Sequence, residues 1–239
     1  EVMNYPWDTW SRLHTDTPWW VLVCNEYADT AQAFSPSGYM NDFGTGITNG
    51  YAWYTITGGR QDYMNFFHQC REVTAEISDT KNPPASQLPN FWNYNYRSLL
   101  NYLEQVTYGI AGTITDSITG EPVRAQVFIL NHDLAIDSSM VFSRPTDGAY
   151  FRLIKSGIWT MQVSAPGYIT KTISNVNVAD RNRTIRNVEL CPLGVWAGFT
   201  ASATQLTAGQ SINFNDQSVG GPTAWQWTFQ GATPAQSSV

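Results

Sequence analysis

The sequence predicts a multidomain chain: a mixed α/β unit followed by all-β sandwiches. Three observations carry that reading. Residues 1–107 combine helical and strand periodicities. From Tyr108 onward the apolar period is two, in short runs separated by Gly/Pro turns. The length of 239 residues suits one to three domains with separate cores. The expected divisions are 1–107, 108–191 and 195–239, with Pro192-Leu193-Gly194 as a linker.

In the first unit, Thr17 followed by Pro18 predicts a helix start, with a capping hydroxyl and a first-turn proline. Trp20, Cys24, Tyr27, Ala28 and Ala31 then recur on one helical face, and Ser35-Pro36-Ser37-Gly38 ends the helix. Gly44, Gly46, Gly50, Gly58 and Gly59 mark a loop region suited to lining a cleft. Residues 71–77 alternate as a strand, with Arg71, Val73, Ala75 and Ile77 on an apolar side and Glu72, Thr74 and Glu76 opposite. Pro83-Pro84 breaks the chain. A second helix is expected from Asn90, with Trp92, Tyr96, Leu99, Leu100, Leu103 and Val106 as its apolar face.

Beyond Tyr108, Ile110 and Ile114 lie on a strand, Asp116 to Pro122 form a turn, and Val127 and Ile129 mark the return strand. Further strands are expected at 149–154, 158–164, 168–175 and 183–190, an antiparallel sandwich. Strands at 211–215 and 223–229 begin another all-β unit, too short in residues 195–239 for a β core and read as truncated.

The net charge of −6, with 13 scattered Lys and Arg, lacks the concentrated basic surface that nucleic-acid binding needs. No apolar run is long enough to span a bilayer. Cys24, Cys70 and Cys191 lie far apart with no CxxC pair, which argues against a disulfide framework and a thiolate zinc site. A Cys24–Cys70 bridge stays open beside the favoured reading, buried free thiols. Glu1-Val2-Met3-Asn4-Tyr5 reads as the interior of a longer protein, so a missing targeting segment says nothing about location.

Several segments together resemble the M14 metallocarboxypeptidases, in the carboxypeptidase D/E/M/N branch. They are Asn4-Tyr5-Pro6-Trp7-Asp8, Gly46-Ile47-Thr48-Asn49-Gly50 with Trp53-Tyr54, Gly58-Gly59-Arg60-Gln61-Asp62-Tyr63, Cys70 through Ile77, and Lys81 through Leu88. Their order and spacing match over 1–107, the C-terminal half of the α/β carboxypeptidase fold. Residues 108–191 resemble the transthyretin-like sandwich of that branch, through Gly112-Thr113-Ile114-Thr115-Asp116 and Ala165-Pro166-Gly167-Tyr168. Residues 195–239 resemble the opening of a PKD-type (Ig-like) sandwich, through Phe199-Thr200-Ala201 and Trp225-Gln226-Trp227.

The resemblance implies a zinc-dependent exopeptidase, secreted and bacterial, acting on peptide or protein C-termini. It implies Glu76 as general base, Tyr54 as the mobile tyrosine that closes over substrate, and Asp8 and Gln61 as the pocket for the C-terminal side chain. A carboxylate in that pocket favours Lys or Arg. The bland alternatives are a solvated strand carboxylate, a packed loop aromatic and a turn aspartate; Glu72 competes with Glu76. The family's zinc ligands are His-x-x-Glu and a later His, but His14, His68 and His132 are followed three residues on by Thr17, Arg71 and Ala135. The ligands, and the family's substrate-binding arginines, are therefore expected upstream of Glu1, and residues 1–239 alone are expected to be inactive. Arg12, Arg60 and Arg71 take no substrate role; His14 and His68 are structural, the second buried beside the strand, and His132 with Asp133 is at best a weak metal site. The competing reading is a non-catalytic protein that holds peptide C-termini or serves adhesion. Trp225 and Trp227 allow a carbohydrate-binding surface or a sandwich core. Oligomeric state is open.

Overall fold

A computed structural model describes residues 1–238. In the first unit, β1 (Val2–Tyr5) is the middle strand of a small sheet. It runs parallel to β2 (Ile47–Asn49) and antiparallel to β3 (Thr74–Glu76). Helix α1 (Thr17–Ala33) covers one face of this sheet. Its Trp20, Cys24, Tyr27, Ala28 and Ala31 are buried in a core that includes Met3 of β1. Each large apolar side chain so buried contributes about 1.5–3 kcal/mol. The short helix α2 (Gly50–Trp53), α3 (Arg60–His68) and α4 (Leu88–Glu104) complete the unit, with α4 packed on α1.

Four local expectations change. Thr17 is the first helical residue rather than the cap, and its hydroxyl donates to the His14 carbonyl. The glycine-marked stretch holds β2 and α2 and leads directly into α3, because Asn49 accepts the Ala52 N–H and starts a helical turn. The strand within 71–77 is only three residues long, and all three are exposed because it pairs with β1 on one edge alone. Finally, the apolar stripe of α4 faces outward: Trp92, Leu100 and Leu103 are 61–63% exposed. Hydrogen bonding selects the inner face instead. Asn95 donates to the Tyr39 hydroxyl at 2.6 Å and accepts from Tyr27 at 3.0 Å, while Ser98 donates to the Tyr27 carbonyl.

The second unit is two four-stranded sheets around one core. In the first sheet, β4 (Gly109–Asp116) pairs antiparallel with β7 (Ala149–Arg152), and parallel with β10 (Arg183–Ile185) and β11 (Val188–Leu190). The second sheet is antiparallel, in the order β6 (Val141–Phe142), β5 (Gln126–Ile129), β8 (Gly157–Ser164), β9 (Lys171–Val178). Ile110, Ile114, Val127, Ile129, Met161 and Val163 fill the space between. Val127 and Ile129 therefore lie on a strand, but one that crosses to the other sheet instead of returning beside Ile110. The expected strand at 183–190 divides into β10 and β11, and both run parallel to β4. Between them Arg186 presses on β4 so closely that a Cβ at Gly112 would lie 2.1 Å from its carbonyl oxygen.

Residues from Leu193 to Ser238 form two separate two-stranded ladders: β12 (Phe199–Ala201) with β13 (Phe214–Asp216), and β14 (Gln226–Thr228) with β15 (Gln236–Ser238). Phe199, Phe214, Trp227 and Phe229 cluster there, but no residue of this stretch is buried. All three cysteines are free; Cys24 is buried, whereas Cys70 is exposed and Cys191 half-buried. Among the described residues, no helix is long and apolar enough to cross a membrane.

Candidate functional site

Asp8 lies just past the end of β1 and is 3% exposed. Its Oδ1 accepts Gln61 Nε2 at 3.1 Å and Asn4 Nδ2 at 3.2 Å. The first turn of α3 supplies both sides of this arrangement. Gln61 reaches the Asp8 side chain, and Asp62 accepts the backbone N–H groups of Asp8 and Thr9 at 3.0 and 2.9 Å. Residues 49–56 close the back: Asn49 donates to the Pro6 carbonyl, Tyr51 to that of Trp7 and Ile56 to that of Asp8. Gly50 is required for this closeness, since a Cβ there would fall 1.7 Å from Asp8 Oδ1.

Among the described residues Asp8 has no ion pair. Arg12 is on Asp137, Arg60 on Glu72 at 3.2 Å, and Arg71 on Asp16 at 2.7 Å. Burial raises the Asp8 carboxyl above its ordinary value, the Asp62 carboxylate adds to this, and the Asn4 amide opposes it. Asn4 Oδ1 and Gln61 Oε1 are also buried, with no hydrogen-bond partner. An unpaired buried carboxylate flanked by two unpaired carbonyl oxygens is a site rich in acceptors and short of donors.

Glu76 is the last residue of β3, directly across from Val2, while Thr74 is across from Asn4. Opposed residues share a face, as do residues two apart, so Glu76 lies on the same face as Asn4. Met3, whose side chain joins the α1 core, marks the other face. Glu76 is exposed and also borders an open groove with Lys81, Leu88 and Trp92. Tyr54 follows α2, is 47% exposed, and packs edge-on against Trp53 with ring centroids 4.7 Å apart. The structure thus joins Asp8 and Gln61 directly, sets Glu76 two residues along the strand from Thr74, the partner of Asn4, and leaves Tyr54 at the surface without a hydrogen bond to the other three. Asn4 and Asp62 complete the pocket. Both stood inside segments whose resemblance was noted, but only their hydrogen bonds distinguish them from turn and helix-surface residues.

The imidazoles do not fit a zinc centre. His14 is buried, and its Nδ1 accepts the Asp16 N–H at 2.9 Å. His68 is exposed at the end of α3 against Tyr63, which corrects its expected burial. His132 is wedged between Thr15 and Asp16. Among the described residues the one grouping of three potential ligands is Glu1, Asp42 and Asp79, where the Glu1 ammonium already pairs with both aspartates.

The family model described as zinc carboxypeptidase matches residues 1–98. Residues 1–98 belong to the M14 zinc carboxypeptidase family. The curated relatives of this carboxypeptidase portion agree. Carboxypeptidase D of Mus musculus is 34% identical over 180 residues, covering 73% of this chain. Carboxypeptidase E of Caenorhabditis elegans is 30% identical over 205 residues, covering 78%. The human carboxypeptidase N catalytic chain is 36% identical over 150 residues, covering 62%. These aligned lengths exceed the carboxypeptidase match, so the similarity continues into the strand-rich part. The chain spans 12%, 42% and 31% of those three relatives, respectively. Among solved structures, a type II cohesin–X–dockerin complex from Acetivibrio cellulolyticus aligns with a TM-score of 0.25 at 15% identity, over 34% of this chain and 50% of that one. A score that low carries no argument.

Proposed function

We propose that this chain is part of a secreted zinc-dependent carboxypeptidase that removes C-terminal Lys or Arg from peptides and proteins. The observation that carries the specificity is Asp8: a buried carboxylate without a cation, beside the partnerless oxygens of Asn4 and Gln61. A guanidinium offers five N–H donors and a positive charge, and so supplies what the pocket lacks. Gln61 keeps the carboxylate oriented before substrate arrives.

On this reading Glu76 is the base that takes a proton from the attacking water and returns it to the departing amine. Its open position on the face shared with Asn4 leaves room for a peptide between it and the pocket. Tyr54 is free to close over the substrate, because its side chain is half exposed and its hydroxyl makes no hydrogen bond among the described residues. Zinc would be held by ligands outside the described residues, whose three histidines form no grouping of metal ligands. We assign 1–107 to the carboxypeptidase portion, 108–191 to a transthyretin-like sandwich and 195–239 to the start of a PKD-type one.

The test uses the full-length protein and matched peptides ending in Arg, Lys, Leu or Phe. Arg and Lys should be released fastest, and Asp8→Asn should cut kcat/KM for the Arg peptide about a hundredfold or more, the effect of removing one partner of a buried pair. Faster release of Leu or Phe would sink the specificity. Residues 1–239 alone should show no zinc-dependent release, and measurable release would refute that part of the reading.

A further inference from the structure

Trp7, the residue before Asp8, is completely buried, and its indole Nε1 donates to Asp137 Oδ1 at 3.2 Å. Asp137 stands 130 positions along the chain, in the sandwich segment between β5 and β6, and is itself 0% exposed. Its Oδ2 accepts the Thr15 N–H at 3.0 Å, and its Oδ1 also lies 2.9 Å from the Arg12 guanidinium. Arg12 lies over the Trp10 ring, 4.1 Å from its centroid, and donates to the Ile136 carbonyl. One carboxylate of the sandwich therefore gathers three points of the segment 7–15. That segment is the one that carries Asp8.

The other backbone anchors of Trp7, Asp8 and Thr9 come from the carboxypeptidase portion. Asp62 holds the N–H groups of Asp8 and Thr9, and Tyr51 and Ile56 hold the carbonyls of Trp7 and Asp8. Trp7 and Asp8 are consecutive, so a turn of the Trp7 backbone moves the Asp8 carboxylate relative to Asn4 and Gln61. A buried carboxylate accepting several donors, one of them cationic, is stiff enough to prevent that motion. A shift of about 1 Å in a positioning group is enough to be felt in turnover or binding.

We propose that Asp137 is a positioning residue for the Asp8 pocket, so that the sandwich takes part in setting the specificity of the carboxypeptidase portion. The inference rests on the reading of Asp8 as the recogniser of a basic C-terminal side chain. It assigns the sandwich a role in substrate selection beyond support of the fold.

The experiment compares wild type, Asp137→Ala, Asp137→Asn and Trp7→Phe in the full-length protein, using peptides ending in Arg and in Leu. Trp7→Phe removes the indole donor from the opposite end of the contact and covers the case in which Asp137→Ala does not fold. The expected result is a KM for the Arg peptide raised about tenfold or more, the loss of a hydrogen bond to a charged group. The kcat should stay within about twofold, as for a loss of binding alone. The Leu peptide should be unaffected. Equal losses on both peptides, or an unchanged KM in folded variants, would overturn the proposal. If wild type shows no preference for basic residues, the Asp8 reading fails instead. Positioning is then judged by NMR: the Asp8 side-chain carboxyl signal should move in Asp137→Asn, and an unmoved signal rejects it.

Discussion

Arg152 of β7 lies 3.0 Å from Asp16, the residue just before α1, with both side chains fully buried and 136 positions apart. Arg71 approaches the other Asp16 oxygen at 2.7 Å, and Asp133 shares the Arg152 guanidinium. Asp16 would ordinarily cap the helix with its carboxylate; here the carboxylate makes no cap and serves the ion pairs instead. Asp16 thus binds the carboxypeptidase portion to the sandwich, in addition to the contacts of Asp137.

Arg152→Met should therefore destabilise the chain by about 3–5 kcal/mol, because it leaves Asp133 and one Asp16 oxygen buried without their arginine partner. Denaturant unfolding followed by Trp fluorescence measures this. The double variant with Asp16→Asn should lose less than the sum of the two singles. A cost below about 1 kcal/mol would place the pair in the class of solvated ion pairs and refute its burial.

Acidification should weaken the same contact in two stages. Burial pushes the His14 imidazole down to about 3, partly opposed by Asp16, so His14 is neutral when folded. The unfolded chain takes up that proton near pH 6.5, and stability is lost from there down toward 3, at up to about 1.4 kcal/mol per pH unit. His132 is lowered by burial as well and acts with the same sign. Asp16 behaves as a depressed carboxylate: burial acts to raise it, but Arg152 and Arg71 outweigh that and hold it below 3.8. Its contribution is present above 3.8 and disappears as the pH falls further. His14→Asn, with a non-titrating acceptor, should flatten the upper part of the profile. An unchanged slope would mean that His14 gains its proton in place.

How much of this was legible in the sequence follows from where the forces are local. The face of α1 could be read because Trp20, Cys24 and Tyr27 bury apolar area against Met3, and periodicity reports that directly. The face of α4 could not. Asn95 turns inward to satisfy the Tyr27 and Tyr39 hydroxyls and Ser98 to reach the Tyr27 carbonyl, partners from distant elements that no window of sequence contains together. Asp8 and Gln61 were legible as a pair only through resemblance to a family. Asp137 lies 129 positions from Asp8, on a different unit, and no motif marked it. The parallel pairing of β10 and β11 with β4 was hidden for the same reason: alternation reveals a strand but not its neighbour.

Gly50→Ala is a stringent probe of the Asp8 pocket. The added Cβ would sit 1.7 Å from Asp8 Oδ1 and 2.8 Å from Asn4 Oδ1, so the carboxylate must leave its place. Overpacking of this kind costs about 1–3 kcal/mol in stability. In the full-length protein KM should rise for peptides ending in Arg and change little for those ending in Leu. At Gly59 the added Cβ meets only ordinary contacts at 3.5 and 3.7 Å, and Gly59→Ala should leave the melting temperature close to wild type. Equal melting temperatures for both variants would show that residues 50 and 8 are further apart than described.

Glu76→Gln separates base from pocket. Glu76 is exposed on an edge strand and makes no ion pair among the described residues, so the substitution should leave stability within about 0.5 kcal/mol. Loss of a general base should lower kcat in the full-length protein by about 10²–10⁴. The preference for Arg over Leu should survive, because Asp8, Gln61 and Asn4 are untouched. Glu72 provides the control: its carboxylate pairs with Arg60 at 3.2 Å, and Glu72→Gln should cost only that surface contact. If Glu72→Gln removes turnover while Glu76→Gln retains it, the base is Glu72. If neither does, with peptide binding intact, the domain binds C-termini without cleaving them, and Asp8 serves recognition alone.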